Sequence, residues 1–517
     1  MAGDLILTFD IGSSSCKAAL FSATGECVAV AKHDIAPTAT ESGFGAREYD
    51  SSEWISGAIK SARKLGDAIG DLHGKVAAIG LSGQIGTHIV ALPDGSSRYP
   101  AVSWQDQRAK REAQELAARF PGFALDTALG MHLPPGTAWP IPRLLWIKRN
   151  APEMLEKGAL WIQPKEYLCH FLTGRMVTDY LSLRGLMHPE RHSIDPLIKN
   201  EILGIPDLED HLPEAAAPSD RAGGLNAHAA RLLRLDQGIP VVLGAGDFHC
   251  AALGSGVSDA SRGFNITGTS DHIGVLVEAG DLGARSEALG RYPSLIPGKD
   301  ILYGATSSSG GMLDWIVTTL GGKRRSESFG NYLERELKGA KPQSGIVCLP
   351  YLNGERAPIW DAEARVVFAG IGKGHRRADL IFSVLEGVAF SLRHNKQILD
   401  EIASVGDCVR VCGASSANML WNRIKANVLK TKIEVPQNSE VSNLGAAMLA
   451  AVSVGIHPDI RSSVRSMSKV VSVIEPEPST YPYYDKMYEC YVREYAANRE
   501  IFPQLSKVRE MRAVENR

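Results

Sequence analysis

The chain has 517 residues, 44% of them hydrophobic, and this length predicts two domains rather than one. Its 56 basic and 58 acidic residues leave a formal charge of -2, so the charge balance indicates neither a nucleic acid nor an anionic membrane as partner. The eight cysteines are scattered without a CxxC pair, which argues against a disulfide framework or a zinc knuckle and favours a reducing, cytoplasmic location.

The chain enters a strand-like run at once, without a basic and apolar leader, and no apolar stretch reaches about 18 uninterrupted residues. We therefore expect a protein that is neither exported nor inserted in a membrane. The opening segment, ILTFDIGSSSCKAALFSATGE at 6–26, has two apolar strands on either side of a polar glycine turn. It predicts a β-hairpin.

A later segment has the same shape. GFNITGTSDHIGVLVEAGD, at 263–281, runs into Gly268, turns through two hydroxyl residues and leaves along an apolar strand. Superposing Gly12 on Gly268 aligns the polar turns and the apolar exits of the two segments. The pattern predicts an internal duplication at a spacing near half the chain.

The remaining segments alternate between strand and helix patterns. KVAAIGLSG and IPVVLGAGD are apolar β runs that stop at a glycine and a polar residue, and helices are predicted over 54–69, 108–118, 377–403 and 418–429. This alternation predicts α/β layers. The small, polar segment at 254–262 is the best linker. We predict a division into 1–256, 257–475 and a helical tail over 476–517 that packs back on the body.

The first glycine turn has the composition of an anion site. Asp10 ends a strand, Gly12 permits a tight turn with outward amides, and Ser13, Ser15 and Lys17 add hydroxyls and a cation. The carboxylate suits a magnesium ion bound through water. Taken alone, such a strand end is more often an ordinary turn. Its repetition at ITGTS indicates instead two hairpins that clamp a polyphosphate from both sides.

Two further glycine turns follow strands. At VCGASSANMLW, small residues would let an adenine ring lie against the backbone at Gly413, and a plain strand-to-helix turn is the alternative. At VVLGAGDFHC, Asp247 starts a helix, where a carboxylate is commonly a cap. The functional alternative is a general base that takes a proton from an acceptor hydroxyl during phosphoryl transfer.

These motifs occur in an order that resembles a known family. They resemble the motifs of the FGGY carbohydrate kinases, which belong to the sugar kinase, heat-shock ATPase and actin fold group. The motifs are DIGSSSCK, WQDQR, GAGD, TGTS, PYLNGERAPIWDAEAR, EGVAF and GASSANMLW with LGAAMLAA. The resemblance covers roughly residues 5–455. It implies a two-domain actin-like ATPase (ribonuclease H-like) α/β fold with internal duplication and an interdomain cleft.

The resemblance also implies ATP and Mg²⁺ and assigns residues to them. Asp247 matches the catalytic base, Asp10 matches the magnesium-associated acid, and both are predicted at the metal. Serine stands at position 13 where the family usually has threonine, and Ala414 replaces a frequent second glycine. The predicted nucleotide and phosphate contacts are Gly12, Ser13, Ser15, Lys17, Gly268, Thr269, Gly310, Asp314, Gly413, Ala414 and Asn418.

The acceptor is predicted from the segment GLSGQIGTHIV. Ile85 and Gly86 stand where glycerol kinases have arginine and glutamate, which argues against glycerol. Xylulose kinases have GQMHG here, so Gln84 fits while methionine and histidine are replaced, which opens space. The predicted acceptor is a ketopentose such as xylulose or a related ketose or polyol, within the wider class of small ketoses, polyols and sugar acids.

Other residues are predicted near the acceptor. Trp104, Asp106 and Arg108 of WQDQR could bind sugar hydroxyls, or the last two could form a salt bridge that fixes the loop. Phe248 follows the predicted base and would narrow the pocket or cover the carbon face of a sugar. His249 could reach the substrate, although a satisfied histidine in the first helical turn is the simpler interpretation.

The leading hypothesis is therefore an ATP-dependent sugar kinase, and a homodimer is expected by analogy. The alternative is a catalytically altered, nucleotide-binding regulatory protein of the same fold. Retention of both Asp10 and Asp247 argues against that alternative, because a protein without transfer activity has no need of the base.

Overall fold

The computed structural model describes residues 3–38, 45–92, 94–97, 99–132, 136–280, 286–323, 327, 329–340 and 342–515. The chain forms two compact units. Unit 1 consists of Met1–Ser258, Arg291–Asp300 and Glu440–Lys469. Unit 2 consists of Asp259–Gly290, Ile301–Ser439 and Val470–Arg517.

The predicted linear boundaries at 256/257 and 475/476 do not coincide with these units. The physical reason is the helix Val441–Ser453, which packs against the helix Asp247–Gly254 and so joins unit 1 although it lies late in the sequence. As a division of the sequence into domains, 1–256, 257–475 and 476–517 stays a prediction.

Unit 1 is built on a mixed sheet of six strands. Their order is Arg221–Gly224, Pro240–Gly246, Val76–Gly83, Leu5–Ile11, Ser15–Ser22 and Cys27–Asp34. The predicted first hairpin is confirmed, with Leu5 opposite Ser22 and Ile11 opposite Cys16. The three central strands are parallel, so their carboxyl ends lie at one edge.

The second sheet has the same design. Its order is Gly290–Pro293, Lys299–Ala305, Asp271–Glu278, Gly263–Thr267, Cys408–Gly413, Lys432–Pro436 and Val470–Ile474. In both sheets an antiparallel hairpin is followed by two parallel strands and an antiparallel edge strand, which confirms the duplication. The second turn is one residue shorter, since Thr267 lies opposite Asp271.

Short strands outside the two sheets complete the β structure of the described residues. They are Glu48–Tyr49, Ile89–Ala91, Ala101–Val102, Leu160–Ile162, Val177–Asp179, Met187–His188, Ser193–Ile194, Glu214–Ala216, Val347–Leu349 and Val367–Ala369.

The helices predicted over 54–69, 108–118, 377–403 and 418–429 are found to within two residues at each end, and the predicted helical tail forms two helices. The helices of unit 1 are Ser52–Ile69, Lys110–Arg119, Asp126–Leu129, Pro140–Asn150, Pro164–Thr173, Ala227–Leu233, Asp247–Gly254, Val441–Ser453 and Ile460–Met467, with a π-helical turn at Leu197–Leu203 and 3₁₀ turns at Pro152–Leu155 and Leu208–His211. Those of unit 2 are Gly310–Leu320, Phe329–Leu337, Arg377–Ile402, Met419–Leu429, Tyr481–Asn498 and Phe502–Glu515, with a 3₁₀ turn at Pro478–Thr480. Within the described ranges, every helix is too short or too polar to cross a bilayer.

Two helices of unit 1 cross with their backbones nearly in contact. A Cβ at Gly254 would lie 2.0 Å from the carbonyl oxygen of Val441, and one at Gly445 would lie 1.9 Å from that of Cys250. Only glycine fits such a crossing. The amide of Asn443 donates to Thr8 Oγ1 at 3.0 Å and ties the second helix to the central strand. The eight cysteines are all free, as predicted.

The C-terminal segment packs on unit 2 through aromatic rings. The ring of Phe390, on the long helix Arg377–Ile402, lies 6.0 Å from that of Tyr488 and 5.7 Å from that of Tyr491. The hydroxyls of Tyr351 and Tyr491 share a buried hydrogen bond of 2.5 Å. The aromatic tail thus completes a core rather than hanging free.

The same core contains an ionisable group whose pKa is raised. Glu386 accepts hydrogen bonds from the Gln343 amide at 2.6 Å and the Ser344 hydroxyl at 3.2 Å. Burial nevertheless raises the pKa of Glu386 to about 7. Because the folded state favours the proton, the stability from this group is full at low pH and is lost as pH rises through about 7.

We expect the Glu386→Gln variant to be less sensitive to pH than the wild type. Glutamine keeps an acceptor for the Gln343 amide but cannot ionise. The thermal unfolding midpoints should agree near pH 5, and the variant should be the more stable of the two at pH 8. The exposed Glu489→Gln change serves as control. Parallel midpoint curves for Glu386→Gln and wild type from pH 5 to 8 would contradict the assignment.

Candidate active site

The sheet of unit 1 brings the predicted acids to one edge. Ile11 and Gly246 both pair with Gly83, so the strands carrying Asp10 and Asp247 end at the same level. In parallel sheets this carboxyl edge is where ligands bind. The strand order therefore brings residues more than two hundred positions apart to the same edge of the sheet.

Asp10 is half-buried between charged and polar neighbours. One carboxylate oxygen accepts a hydrogen bond from Ser82 Oγ at 3.0 Å. Burial raises the pKa of Asp10, and the charge of Glu440 adds to the rise, while Lys17 and the Ser82 hydrogen bond oppose it. The group keeps its charge only at a cost, which a bound cation would remove.

Asp247 begins the helix Asp247–Gly254 and has a similar environment. Its carboxylate accepts a hydrogen bond from the Phe248 amide at 2.7 Å. Burial raises the pKa of Asp247 to about 7, and the charge of Asp10 contributes to the rise. A carboxylate with a pKa near the working pH is suited to accept a proton from a hydroxyl.

The two carboxylates fit a divalent cation. Asp10 and Asp247 are close enough for the charge of one to raise the pKa of the other. Within the described ranges, no cluster of three or more histidine, cysteine or acidic residues could hold a metal. Magnesium keeps several waters and binds through one or two carboxylates together with substrate phosphates, so such a small protein set is appropriate.

The first hairpin turn is held by side chains from other segments. Ser13 Oγ donates to Gln84 Oε1 at 2.6 Å and accepts from Trp104 Nε1 at 2.7 Å. The Gly12 amide donates to the Ser15 carbonyl at 3.0 Å. The structure therefore brings together residues that were predicted separately for phosphate and for acceptor binding.

Lys17 does not stand free in the turn. Its ammonium lies 2.6 Å from Glu440 Oε2, at the start of the helix Val441–Ser453. Burial lowers the pKa of Lys17, but the carboxylates of Glu440 and Asp10 outweigh this and raise it. Glu440 was missed from the sequence, where nothing local marks it as a partner of a residue in the first hairpin.

The segment Gln84–Gly86 lines the approach to Asp247. A Cβ at Gly246 would lie 1.9 Å from Ile85 Cδ1, so the isoleucine covers the residue just before the acid. Gly86 has a φ of +82°, and its amide donates to Gln163 Oε1 at 2.9 Å. Gly86 thus provides backbone rather than a hydrogen-bonding side chain.

Asp106 and Arg108 form an ion pair inside their own loop. Both oxygens of the buried Asp106 accept from Arg108 Nε, at 3.1 and 2.9 Å, and one also accepts from the Arg47 amide at 2.8 Å. Arg108 Nη2 reaches Glu48 at 2.7 Å. These contacts favour the loop-fixing alternative over sugar binding, whereas the 40%-exposed Trp104 remains available.

Aromatic residues lie beside the predicted base. The ring of Phe248 lies 5.6 Å from that of Tyr292, and the ring of His249 lies 4.9 Å from it. Burial lowers the pKa of His249 to about 3, so its ring is neutral. The guanidinium of Arg184 stands over Tyr292 at 5.2 Å. Neither Tyr292 nor Arg184 lies in a recognisable motif, and both were missed.

In unit 2 the second hairpin meets the next glycine turn through backbone. The Gly310 amide donates to the Gly268 carbonyl at 3.0 Å, and the Gly311 amide donates to the Thr269 carbonyl at 3.0 Å. A Cβ at Gly310 would lie 2.6 Å from the Gly268 oxygen, so this approach requires glycine. Asp314 lies exposed on the helix that follows.

The third glycine turn joins the same place. Gly413 has a φ of +91°, and a Cβ there would lie 2.2 Å from the Thr267 carbonyl oxygen. The Ala414 amide donates to that carbonyl at 3.2 Å. Asn418 accepts from the Trp421 amide at 3.0 Å and caps the helix Met419–Leu429. Three predicted nucleotide turns therefore lie at one edge of this sheet.

The motif GERAPIWDAEAR forms hydrogen bonds to the segment that precedes the turn at Gly310. Glu355 accepts hydrogen bonds from the amides of Ser307 and Arg356. Arg356 Nη2 donates to the Thr306 carbonyl at 2.6 Å. The motif therefore fixes the segment that leads into Gly310, a supporting role that its sequence alone did not reveal.

Comparison with known proteins agrees with this geometry. The model of the FGGY family of carbohydrate kinases, N-terminal domain, matches residues 5–254, and that of the C-terminal domain matches residues 263–454. A xylulose kinase of Lactococcus lactis subsp. lactis (strain IL1403) is 26% identical over 513 residues, covering 97% of this chain and 98% of the relative.

Solved structures show the same fold. A ligand-bound xylulose kinase from Lactobacillus acidophilus has a TM-score of 0.85 at 24% identity, and a gluconate kinase from the same organism has a TM-score of 0.84 at 25% identity. Each match covers 97% of this chain and 99% of the other. The predicted two-domain actin-like ATPase fold is confirmed, and the chain belongs to the FGGY family of carbohydrate kinases, which are ATP-dependent sugar kinases.

Proposed function

We propose that this kinase transfers the γ-phosphoryl group of ATP to a hydroxyl of a small sugar, a ketopentose such as xylulose or a related ketose or polyol, with Asp247 as general base. The observation that carries the proposal is the position of Asp247 at the carboxyl edge of the sheet, where burial and Asp10 raise its pKa to about 7. Such a carboxylate can orient an acceptor hydroxyl and take its proton as the phosphoryl group arrives.

Asp10 and Asp247 would hold magnesium together with waters and phosphate oxygens. When bound, the ion supplies positive charge that neutralises the transferring phosphoryl group. Ser82 keeps the Asp10 carboxylate in place, and Lys17 balances its charge. The hydroxyl of Ser15 and the amides of the turn would contact phosphate oxygens, and the hydroxyl of Ser13 would do so by turning its proton away from Gln84.

The turns of unit 2 would bind the nucleotide. Gly268, Thr269 and Gly310 would contact its phosphates, and Gly413 and Ala414 would present bare backbone to the adenine. Asp314 and Asn418 remain predicted contacts on the same side. The supporting observation is the set of backbone hydrogen bonds by which these turns fix one another.

Two classes of acceptor are consistent with the relatives. The relatives named xylulose kinase favour a ketopentose or a related ketose or polyol, and the neighbour named gluconate kinase favours a sugar acid. Gln84, Ile85, Gly86, Trp104 and Phe248 would line the acceptor. The carbon face of a sugar would lie against the rings of the last two.

We further expect the kinase to act in the cytoplasm and to form a homodimer. The first expectation rests on the scattered cysteines, and the second on analogy with sugar kinases of this family. The regulatory alternative would bind nucleotide without transferring phosphate, so it differs from the kinase in the need for Asp247.

We expect Asp247→Asn to lower kcat by about a hundredfold to ten-thousandfold, because the amide cannot accept the proton of the acceptor hydroxyl. Coupled ADP release with a panel of ketoses, polyols and sugar acids measures the rate, and calorimetry measures nucleotide binding, which should persist. The exposed Asp67→Asn change is the matched control. Full activity in Asp247→Asn would refute the assignment of the base.

We expect Gly413→Ala to weaken nucleotide binding by at least about tenfold, because the new Cβ meets the Thr267 carbonyl and displaces the turn. Gly339→Ala is the control, since Gly339 also has a positive φ of +77° but has no atom within 4 Å of its added Cβ. An equal loss of ATP affinity in both variants would contradict the assignment of Gly413 to the nucleotide site, because general backbone strain would then explain the loss.

A further inference from the structure

Arg184 lies in the turn that follows the strand Val177–Asp179 in unit 1. Its amide donates to the Leu181 carbonyl at 3.2 Å, which fixes the backbone of the turn. The side chain is half-buried, and its guanidinium stands 5.2 Å over the ring of Tyr292. A cation held against an aromatic face keeps its in-plane donors free for another group.

In the described part of the chain, the guanidinium of Arg184 has neither an ion pair nor a hydrogen bond. The nearby acid Asp179 is already engaged, since one oxygen lies 2.9 Å from the Lys165 ammonium and the other accepts from the amides of Leu181 and Ser182. A half-buried guanidinium without a counterion can pair with a negatively charged group of a ligand. The position therefore fits a ligand that brings the missing negative charge.

Arg184 is also close to the proposed base. Phe248, next to Asp247, lies 5.6 Å from the ring of Tyr292, whose face Arg184 covers. The charge of Arg184 opposes the effect of burial on the pKa of Asp247. The rings of Phe248 and Tyr292 thus lie between the proposed base and the guanidinium of Arg184 within unit 1.

We propose that Arg184 binds a carboxylate of the acceptor, so that the substrate is a sugar acid of five or six carbons whose hydroxyl lies at Asp247. This inference rests on the proposed function, because it assigns the class of acceptor. The planar guanidinium can hold a carboxylate through two parallel hydrogen bonds. Phe248 would lie along the carbon chain between its two ends, while the buried ring of Tyr292 holds the guanidinium in place.

A carboxylate suits the site better than a neutral end or a phosphate. A neutral hydroxyl would leave the cation without a counterion. A phosphate would bring up to two negative charges near Asp10, Asp247 and the nucleotide triphosphate, where like charges repel. One carboxylate neutralises Arg184 and adds no excess charge.

The test compares acceptors that differ only at one end. Pentonates and hexonates are paired with the pentitols and hexitols of the same carbon chain, and ketopentoses and sugar monophosphates are added to the panel. Wild type, Arg184→Gln and Arg184→Lys are measured by coupled ADP release with Mg-ATP and by calorimetric binding of each acid. Arg191→Gln, an exposed arginine seven residues further along, is the matched control.

We expect wild type and Arg191→Gln to prefer one acid over its matched polyol. Arg184→Gln should lose about tenfold to a hundredfold in kcat/KM for that acid and keep its value for neutral acceptors. For that acid, the kcat/KM of Arg184→Lys should lie between those of wild type and Arg184→Gln. Lysine keeps the positive charge but cannot form two parallel hydrogen bonds to a carboxylate. Thermal unfolding midpoints show whether the variants remain folded.

Three results would overturn the inference. These are a wild-type preference for neutral sugars or for sugar monophosphates, an equal loss for acids and polyols in Arg184→Gln, and the absence of any acid that binds. If a neutral sugar is phosphorylated while no acid binds, the proposed function stands and the role of Arg184 falls. If an acid binds through Arg184 without transfer, the role stands and the proposed function falls.

Discussion

The charge interaction between Asp10 and Asp247 is the constraint on which the rest of unit 1 depends. Both carboxylates lie at the ends of central strands, both are desolvated, and the charge of Asp10 raises the pKa of Asp247. Such a pair is unfavourable without a cation. Lys17 supplies part of the compensation, and bound magnesium would supply the remainder. The repulsion between the two carboxylates lowers the stability of the unliganded protein and favours the binding of a cation with its charged cosubstrate.

Helix packing next to the two acids fixes the position of the helix that begins at Asp247. The helix that starts at Asp247 crosses the helix Val441–Ser453 at Gly254 and Gly445, where any side chain would collide with backbone. That second helix also carries Glu440 at its start, where it pairs with Lys17. The helix Val441–Ser453 therefore both positions the helix of Asp247 and places the carboxylate of Glu440 next to Lys17. The duplicated hairpin of unit 2 differs, because backbone hydrogen bonds join its turn to the neighbouring glycine turns.

The sequence predicted the regular elements well, since strand ends, glycine turns and amphipathic helices are local patterns. It also marked Asp10 and Asp247 as candidates, because an acid at the end of an apolar strand or directly after it is visible without a structure. Arg184, Tyr292 and Glu440 could not be found in this way, as each acts through a contact with a residue distant in sequence. For the same reason the sequence could not decide whether Asp106 binds sugar or closes its own loop.

The central claim is that phosphate moves from ATP to a sugar acceptor. The most direct measurement is ³¹P NMR of wild type with Mg-ATP and the acceptor panel, followed over time. The account predicts one new phosphate monoester that appears in step with ADP and only when a suitable acceptor is present. Inorganic phosphate alone, at the same rate with and without acceptor, would contradict it.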